Sequence, residues 1–168
     1  SYKQAIKINP EYAEAYNNLG VTLKITGKFN EAIDSCQRAI KINPKYAEAY
    51  NNLGNVYNIN EKIDEAILNY KKAIKIDANF AEAYSNLGHL LKEIGNVDES
   101  RNYENKLLSL KPNDIGYKIN TTLSIVPIVN SVVEINFYRN EYQKGLEYLK
   151  KYQYITEKPG NTITTNFF

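Results

Sequence analysis

The stretch "AEAYNNLG" occupies residues 13–20, returns unchanged at 47–54, and recurs as "AEAYSNLG" at 81–88. The flanking sequence repeats at the same interval of 34 residues. Tyr16, Leu19, Gly20 and Leu23 become Tyr50, Leu53, Gly54 and Tyr57, then Tyr84, Leu87, Gly88 and Leu91. Offsets of three, four and seven trace one face of an amphipathic helix. Paired asparagines, poor helix formers, sit inside that helix, so something other than propensity selects them.

Turns follow at Thr26-Gly27-Lys28, Asn60-Glu61-Lys62 and Gly95-Asn96, and second helices are predicted over 29–43, 63–77 and 97–111. Asn43-Pro44 ends the first of these and Lys111-Pro112 the last, because proline disfavours helix in the residue before it. Each unit is then a helix pair that cannot bury its apolar face alone and must stack on the next. Gly20 and Gly54, with Ala32, Ala39, Ala66 and Ala73, fall where paired helices approach closely. Tyr16, Leu19, Ile40 and Tyr70 are large enough to fill the space between.

The rest of the composition narrows the function by exclusion. The 168 residues include 21 basic and 19 acidic side chains, a net charge of +2. That balance gives no footprint for nucleic acid and no polybasic membrane patch. The longest apolar run, 123–133, is too short for a membrane span and is broken by Pro127. A lone cysteine, Cys36, cannot form an internal disulfide and fits a reducing, cytoplasmic compartment. Cys36 stands where the next repeat has Tyr70, a core position, so a buried spacer is expected rather than a nucleophile. His89 is the sole histidine, and no Cys, His or carboxylate set has ligand spacing, so no metal is expected. No phosphate loop or nucleophile motif is present, and neither a cofactor nor catalysis by this chain is expected.

Residues 11–114 resemble three consecutive tetratricopeptide repeats, in their period, small residues and terminal prolines. The implied fold is all-α, a tetratricopeptide repeat right-handed superhelix (α-solenoid) with a C-terminal non-repeat helical extension. The units are 11–46, 47–80 and 81–114. Residues 1–10, "SYKQAIKINP", parallel "SCQRAIKINP" at 35–44 and read as the second helix of a truncated repeat. Its uncapped end predicts end-to-end self-association. The third unit departs from the pattern, with Ser100 and Leu107 in place of alanine, and Ala78 replaces a proline in the second. Beyond the repeats, 115–129 reads as a degenerate helix and connector and 130–152 as a long helix. Ser131 and Glu134 form the capping box of that helix. The tail 153–168 ends on "NTITTNFF" and reads as leading to a missing downstream domain.

Stepping about 100° per residue from Tyr16, at the centre of the buried face, places Glu14, Asn18, Val21 and Ile25 on the opposite side. The equivalents are Glu48, Asn52, Asn55 and Ile59, then Glu82, Asn86, His89 and Glu93. In a solenoid of helical hairpins the first helices line the concave wall, so these residues face a groove. Asn120 falls 34 residues after Asn86. A carboxamide donates and accepts together, so it can bond peptide backbone whatever the side chains. Successive first helices, roughly 10 Å apart, match about three residues of extended peptide at ~3.3 Å each. A ladder of three or four asparagines could thus hold an extended polypeptide weakly, at about 0.5–1.5 kcal/mol per bond. The alternative is structural: asparagine is common here in such repeats, holding loops or water. Capture of a C-terminal carboxylate is disfavoured, because the wall carries Glu14, Glu48 and Glu82, with asparagine or serine at 17, 51 and 85. Lys24 and Lys92 form no cluster.

The repeat words also resemble the superhelical region of O-linked N-acetylglucosamine transferases, whose inner asparagine ladder holds acceptor polypeptides. Asn18, Asn52 and Asn86 match that ladder, and Asn120 extends it. Residues 123–149 are similar to the segment joining repeats to the catalytic region in bacterial, SPINDLY-type relatives, with Ser131, Glu134 and Arg139 at similar spacing. The resemblance implies the acceptor-binding and linker part of a nucleotide-sugar-dependent enzyme that modifies Ser or Thr of proteins. A stand-alone scaffold that assembles a protein complex is the other possibility the sequence leaves open.

Overall fold

In the computed structural model, residues 1–112, 114, 139–140, 143–144 and 146–147 are described, and they contain no strand. Seven helices run through them: α1 (Tyr2–Ile8), α2 (Ala13–Ile25), α3 (Phe29–Ile42), α4 (Ala47–Ile59), α5 (Ile63–Ile76), α6 (Ala81–Glu93) and α7 (Val97–Leu110). The chain divides into one compact unit, Ser1–Lys111, and a second, Pro112–Phe168. In the second unit Arg139, Asn140, Gln143, Lys144, Leu146 and Glu147 are helical. The expected connector, the Ser131–Glu134 capping box, Asn120 and the tail lie outside the described residues.

Local chemistry sets where the helices start and stop. At each link between hairpins a short polar side chain folds back on the backbone two residues on. Oδ1 of Asn9, Asn43 and Asp77 accepts the N–H of Glu11, Lys45 and Asn79 at 3.1, 3.1 and 2.9 Å. This Asx turn redirects the chain by itself, which explains why Ala78 can stand where the other links have proline. Within the hairpins, Gly27 and Gly95 turn the chain with φ of +75° and +82°. Glu61 holds the same place at φ +57°, a left-handed conformation that costs a non-glycine residue roughly 1–2 kcal/mol.

Packing follows chain order. α2 pairs with α3, α4 with α5 and α6 with α7, and each second helix lies on the next first helix. The backbones of the first helices also approach closely, α2 to α4 and α4 to α6, whereas those of α3 and α5, or of α5 and α7, do not; α5 and α7 meet through the long side chains of Lys71 and Glu99, paired at 2.8 Å. A stack that is tight along one row of helices and open along the other bends towards the tight row. The first helices therefore form the inner wall of an all-α solenoid.

Small residues let the rows close. Ala32, Ala39, Ala66 and Ala73 are fully buried. A methyl group on Gly20 would lie 2.6 Å from the Cys36 sulfur, and one on Gly54 would lie 2.6 Å from the Tyr70 ring. The pattern is size complementation: glycine on the first helix receives whatever the second helix presents. In the third repeat the demand relaxes, and a methyl on Gly88 would meet Cγ of Glu104 at 3.4 Å, an ordinary contact. Ser100, at an alanine position, stays buried by donating its hydroxyl to the Gly88 carbonyl at 2.7 Å.

Gly54→Ala should therefore cost about 1–3 kcal/mol by overpacking against the buried Tyr70 ring. Gly88→Ala should be neutral or stabilising by up to about 1 kcal/mol, the helix-propensity gain. Urea denaturation of the two variants separates them, and equal losses would contradict this packing.

Candidate functional site

The asparagine pairs on the inner wall divide their work in a way the sequence alone does not show. Asn17 is fully buried and Asn51 nearly so, while Asn18, Asn52 and Asn86 are half-buried. Nδ2 of Asn17 donates to the Tyr46 hydroxyl at 3.3 Å and to Oε1 of Glu48 at 3.1 Å. Oδ1 of Asn17 accepts from Nδ2 of Asn52 at 2.9 Å. An ionised carboxylate only accepts, so Glu48 dictates which way Asn17 points, and Asn17 dictates the orientation of Asn52. One repeat on, Nδ2 of Asn86 donates to Oδ1 of Asn51 at 3.0 Å and to Oδ1 of Asn55 at 3.1 Å. Oδ1 of Asn55 also accepts the Tyr70 hydroxyl at 2.8 Å.

Asn52 and Asn86, which helical phase turns to the groove, also serve the stack: each donates to the first asparagine 35 residues earlier. The bonds run between neighbouring first helices, and not to loops. The physical reason is the close contact of α2 with α4 and of α4 with α6. It buries Asn17 and Asn51, and a buried carboxamide left unpaired costs about 1–3 kcal/mol. The signal was present in the word "NN" itself, because a 34-residue period brings position 18 of one copy beside position 17 of the copy before. Asn17 and Asn51 are the residues that sequence reasoning missed.

What the relay leaves open faces the groove. Asn86 has spent both N–H donors and keeps Oδ1, an acceptor, while Asn52 has spent one and keeps Oδ1 and a second N–H. Asn18 has no hydrogen-bond partner for its carboxamide among the described residues. Glu14, Glu48 and Glu82 are all exposed. Oε2 of Glu14 accepts the Tyr12 hydroxyl at 3.2 Å, and that bond pushes the Tyr12 hydroxyl above its ordinary range. Burial first, then the carboxylates of Glu48 and Glu14, raise Tyr46 as well. Asn55 is drawn into the stack by Tyr70 and Asn86. His89 is exposed and its Nδ1 lies 3.5 Å from Oε2 of Glu93. At the far ends of α2 and α4, Ile25 and Ile59 are 77% and 52% exposed. The wall is thus rich in acceptors at one edge and apolar at the other.

Cys36 is fully buried beneath Gly20, the core position its sequence register indicates. Burial pushes its thiol up to about 12, against the opposing pull of the Lys24 charge. Among the described residues no three His, Cys, Asp or Glu side chains are grouped to hold a metal, and no helix is long and apolar enough to cross a membrane.

A family model described as TPR repeat matches residues 1–24 and 54–95, and three described as Tetratricopeptide repeat match 13–46, 35–67 and 81–114. No curated protein matches the chain. Among solved structures, "Crystal structure of MamA" is 27% identical with a TM-score of 0.71, over 91% of this chain and 87% of that one. "Crystal structure of MamA protein" is 24% identical with a TM-score of 0.69, over 99% and 85%. "First TPR of Spaghetti (RPAP3) bound to HSP90 peptide SRMEEVD" is 20% identical with a TM-score of 0.59, over 82% and 93%. These last two likenesses establish the helical stack alone.

The depth of Cys36 has a direct readout. At about pH 8.5, where an exposed thiol is half ionised, iodoacetamide should leave the folded protein unmodified and label it only as fast as it unfolds. Rapid, stoichiometric labelling of the native chain would contradict the burial described.

Proposed function

We propose, since the chain belongs to the tetratricopeptide repeat family, that its repeats form a protein–protein interaction module holding extended polypeptide along α2, α4 and α6. The observation that carries this role is the set of wall groups the stack does not consume. They are the carboxamide of Asn18, the Oδ1 atoms of Asn52 and Asn86, the exposed carboxylates of Glu14 and Glu82, and Oε2 of Glu48, whose Oε1 is held by Asn17. Backbone N–H groups of a bound segment can meet the oxygens, and side-chain identity matters little to such bonds. The module binds and, by itself, catalyses nothing.

The RPAP3 structure is titled as bound to SRMEEVD, a peptide ending in acidic residues. The wall here disfavours such a ligand, because three glutamates occupy its rim and positions 17, 51 and 85 carry no cation. Charge of one sign facing the same sign raises the free energy of the complex and slows encounter.

A finer assignment makes this groove the acceptor-binding region of a protein O-glycosyltransferase, from the resemblance of the repeat words and of 123–149. In that assignment Asn52 and Asn86 would meet the acceptor chiefly through Oδ1, because their Nδ2 groups are engaged between repeats. A stand-alone scaffold uses the same wall. A reading frame continuing past Phe168 into a nucleotide-sugar-binding α/β domain selects the enzyme, and a stop codon there selects the scaffold.

Titrating unrelated extended peptides into isotope-labelled protein should shift amide resonances on α2, α4 and α6. Asn18→Ala should weaken binding about 2–10-fold, the equivalent of ~0.5–1.5 kcal/mol for one bond, with helicity unchanged. Shifts confined to α3, α5 and α7, or no shifts at all, would refute the groove.

A further inference from the structure

We infer that the segment this wall takes is a polyproline-II strand with Lys or Arg at every third residue and apolar residues along an adjoining edge. The inference rests on the peptide-binding role and gives it a partner chemistry. It starts from what the wall can and cannot offer. The charged groups along this row are the exposed carboxylates of Glu14, Glu48 and Glu82, which accept and never donate. A partner that answers them must bring donors.

The oxygens are arranged in stations. Glu14, Glu48 and Glu82 each stand two residues after an aromatic side chain: Tyr12, Tyr46 and Phe80. Tyr12 is 42% exposed and bonded to Glu14, while Tyr46 and Glu48 share the Nδ2 donor of Asn17. Among the described residues none of the three glutamates forms an ion pair with Lys or Arg. A carboxylate beside an aromatic ring suits an ammonium or guanidinium group, which gains a charge partner and a π face together. The opposite edge is apolar: Ile25 and Ile59 stand 77% and 52% exposed. They lie eleven residues along the same helices, about 16 Å from the glutamates.

Period decides the conformation. Neighbouring first helices repeat the station at 8–10 Å, roughly three residues of an extended chain. In a β-strand, residues three apart point to opposite faces, so a strand could serve only alternate stations. A polyproline-II helix has three residues per turn and rises ~3.1 Å each, so every third side chain returns to one edge about 9 Å along. One edge can then meet Glu14, Glu48 and Glu82 in turn, while the next edge lies towards Ile25 and Ile59 and the third faces solvent.

The test uses the whole chain and fluorescent peptides of one composition. Four copies of Lys-Pro-Leu should bind at least about tenfold more tightly than the same residues reordered so that lysine recurs at every second position. Replacing lysine by glutamate should abolish that binding, and raised salt should weaken it. In Glu14→Gln/Glu48→Gln/Glu82→Gln, which keeps an acceptor for Asn17, the preference for the three-residue period should disappear while circular dichroism is unchanged. Equal affinity for both lysine orders, or a preference that survives the triple variant, overturns the inference and leaves the groove intact. Absence of binding by every peptide, neutral ones included, overturns the groove as well.

Discussion

A carboxamide buried between helices must find partners, and the chain depends on how Asn17 does so. It donates to Tyr46 and Glu48 and accepts from Asn52, so one side chain joins α2 to the start of α4 and to its middle. That joint holds the two first helices close, and closeness along this row bends the stack. The same joint fixes the chemistry of the groove. Because Glu48 can only accept, the polarity of the relay is set, and Asn52 turns one N–H to the stack and keeps its oxygen and second N–H for the groove. Stacking and recognition are thus the same side chains seen from opposite sides.

Behind the wall, stability comes from apolar and small residues in alternation. Tyr70 is almost wholly buried against Gly54, and its hydroxyl escapes isolation by bonding Asn55. A Tyr–OH buried without a partner would cost about 1–3 kcal/mol, so the ring can fill the core only because the wall supplies an acceptor. Cys36 solves the same packing problem with a smaller, less polar atom and needs no such acceptor. The third repeat relaxes further: Glu104 stands where Tyr70 and Cys36 stood, Gly88 is less crowded, and Ser100 bonds the backbone of the facing helix. Core and groove are coupled most strongly in the middle repeat.

The helix pairs, their turns and the buried alanines were legible in the sequence because a period of 34 residues states them three times over. So was the depth of Cys36, from its alignment with Tyr70. The roles within "NN" were not legible, since helical phase places position 17 near the buried face and position 18 towards the groove without saying that they meet across repeats. That contact is a property of the distance between α2 and α4, and no single copy of the word contains it. Likewise Asn55 looked like a groove residue by phase, and only the reach of Tyr70 from the second helix shows that this half-buried side chain is tied to the stack. Glu14, Glu48 and Glu82 sit on the surface as phase requires. Asn120 lies outside the described residues.

The relay between Asn17 and Asn52 is most directly measured by a double-mutant cycle. Asn17→Ala, Asn52→Ala and the pair are compared by urea unfolding, with m-values confirming the same transition. A direct bond predicts that the two losses fail to add, with a coupling energy of about 0.5–1.5 kcal/mol. Strict additivity, with Asn17→Ala costing no more than an exposed surface substitution, would contradict a stack held together through its asparagines.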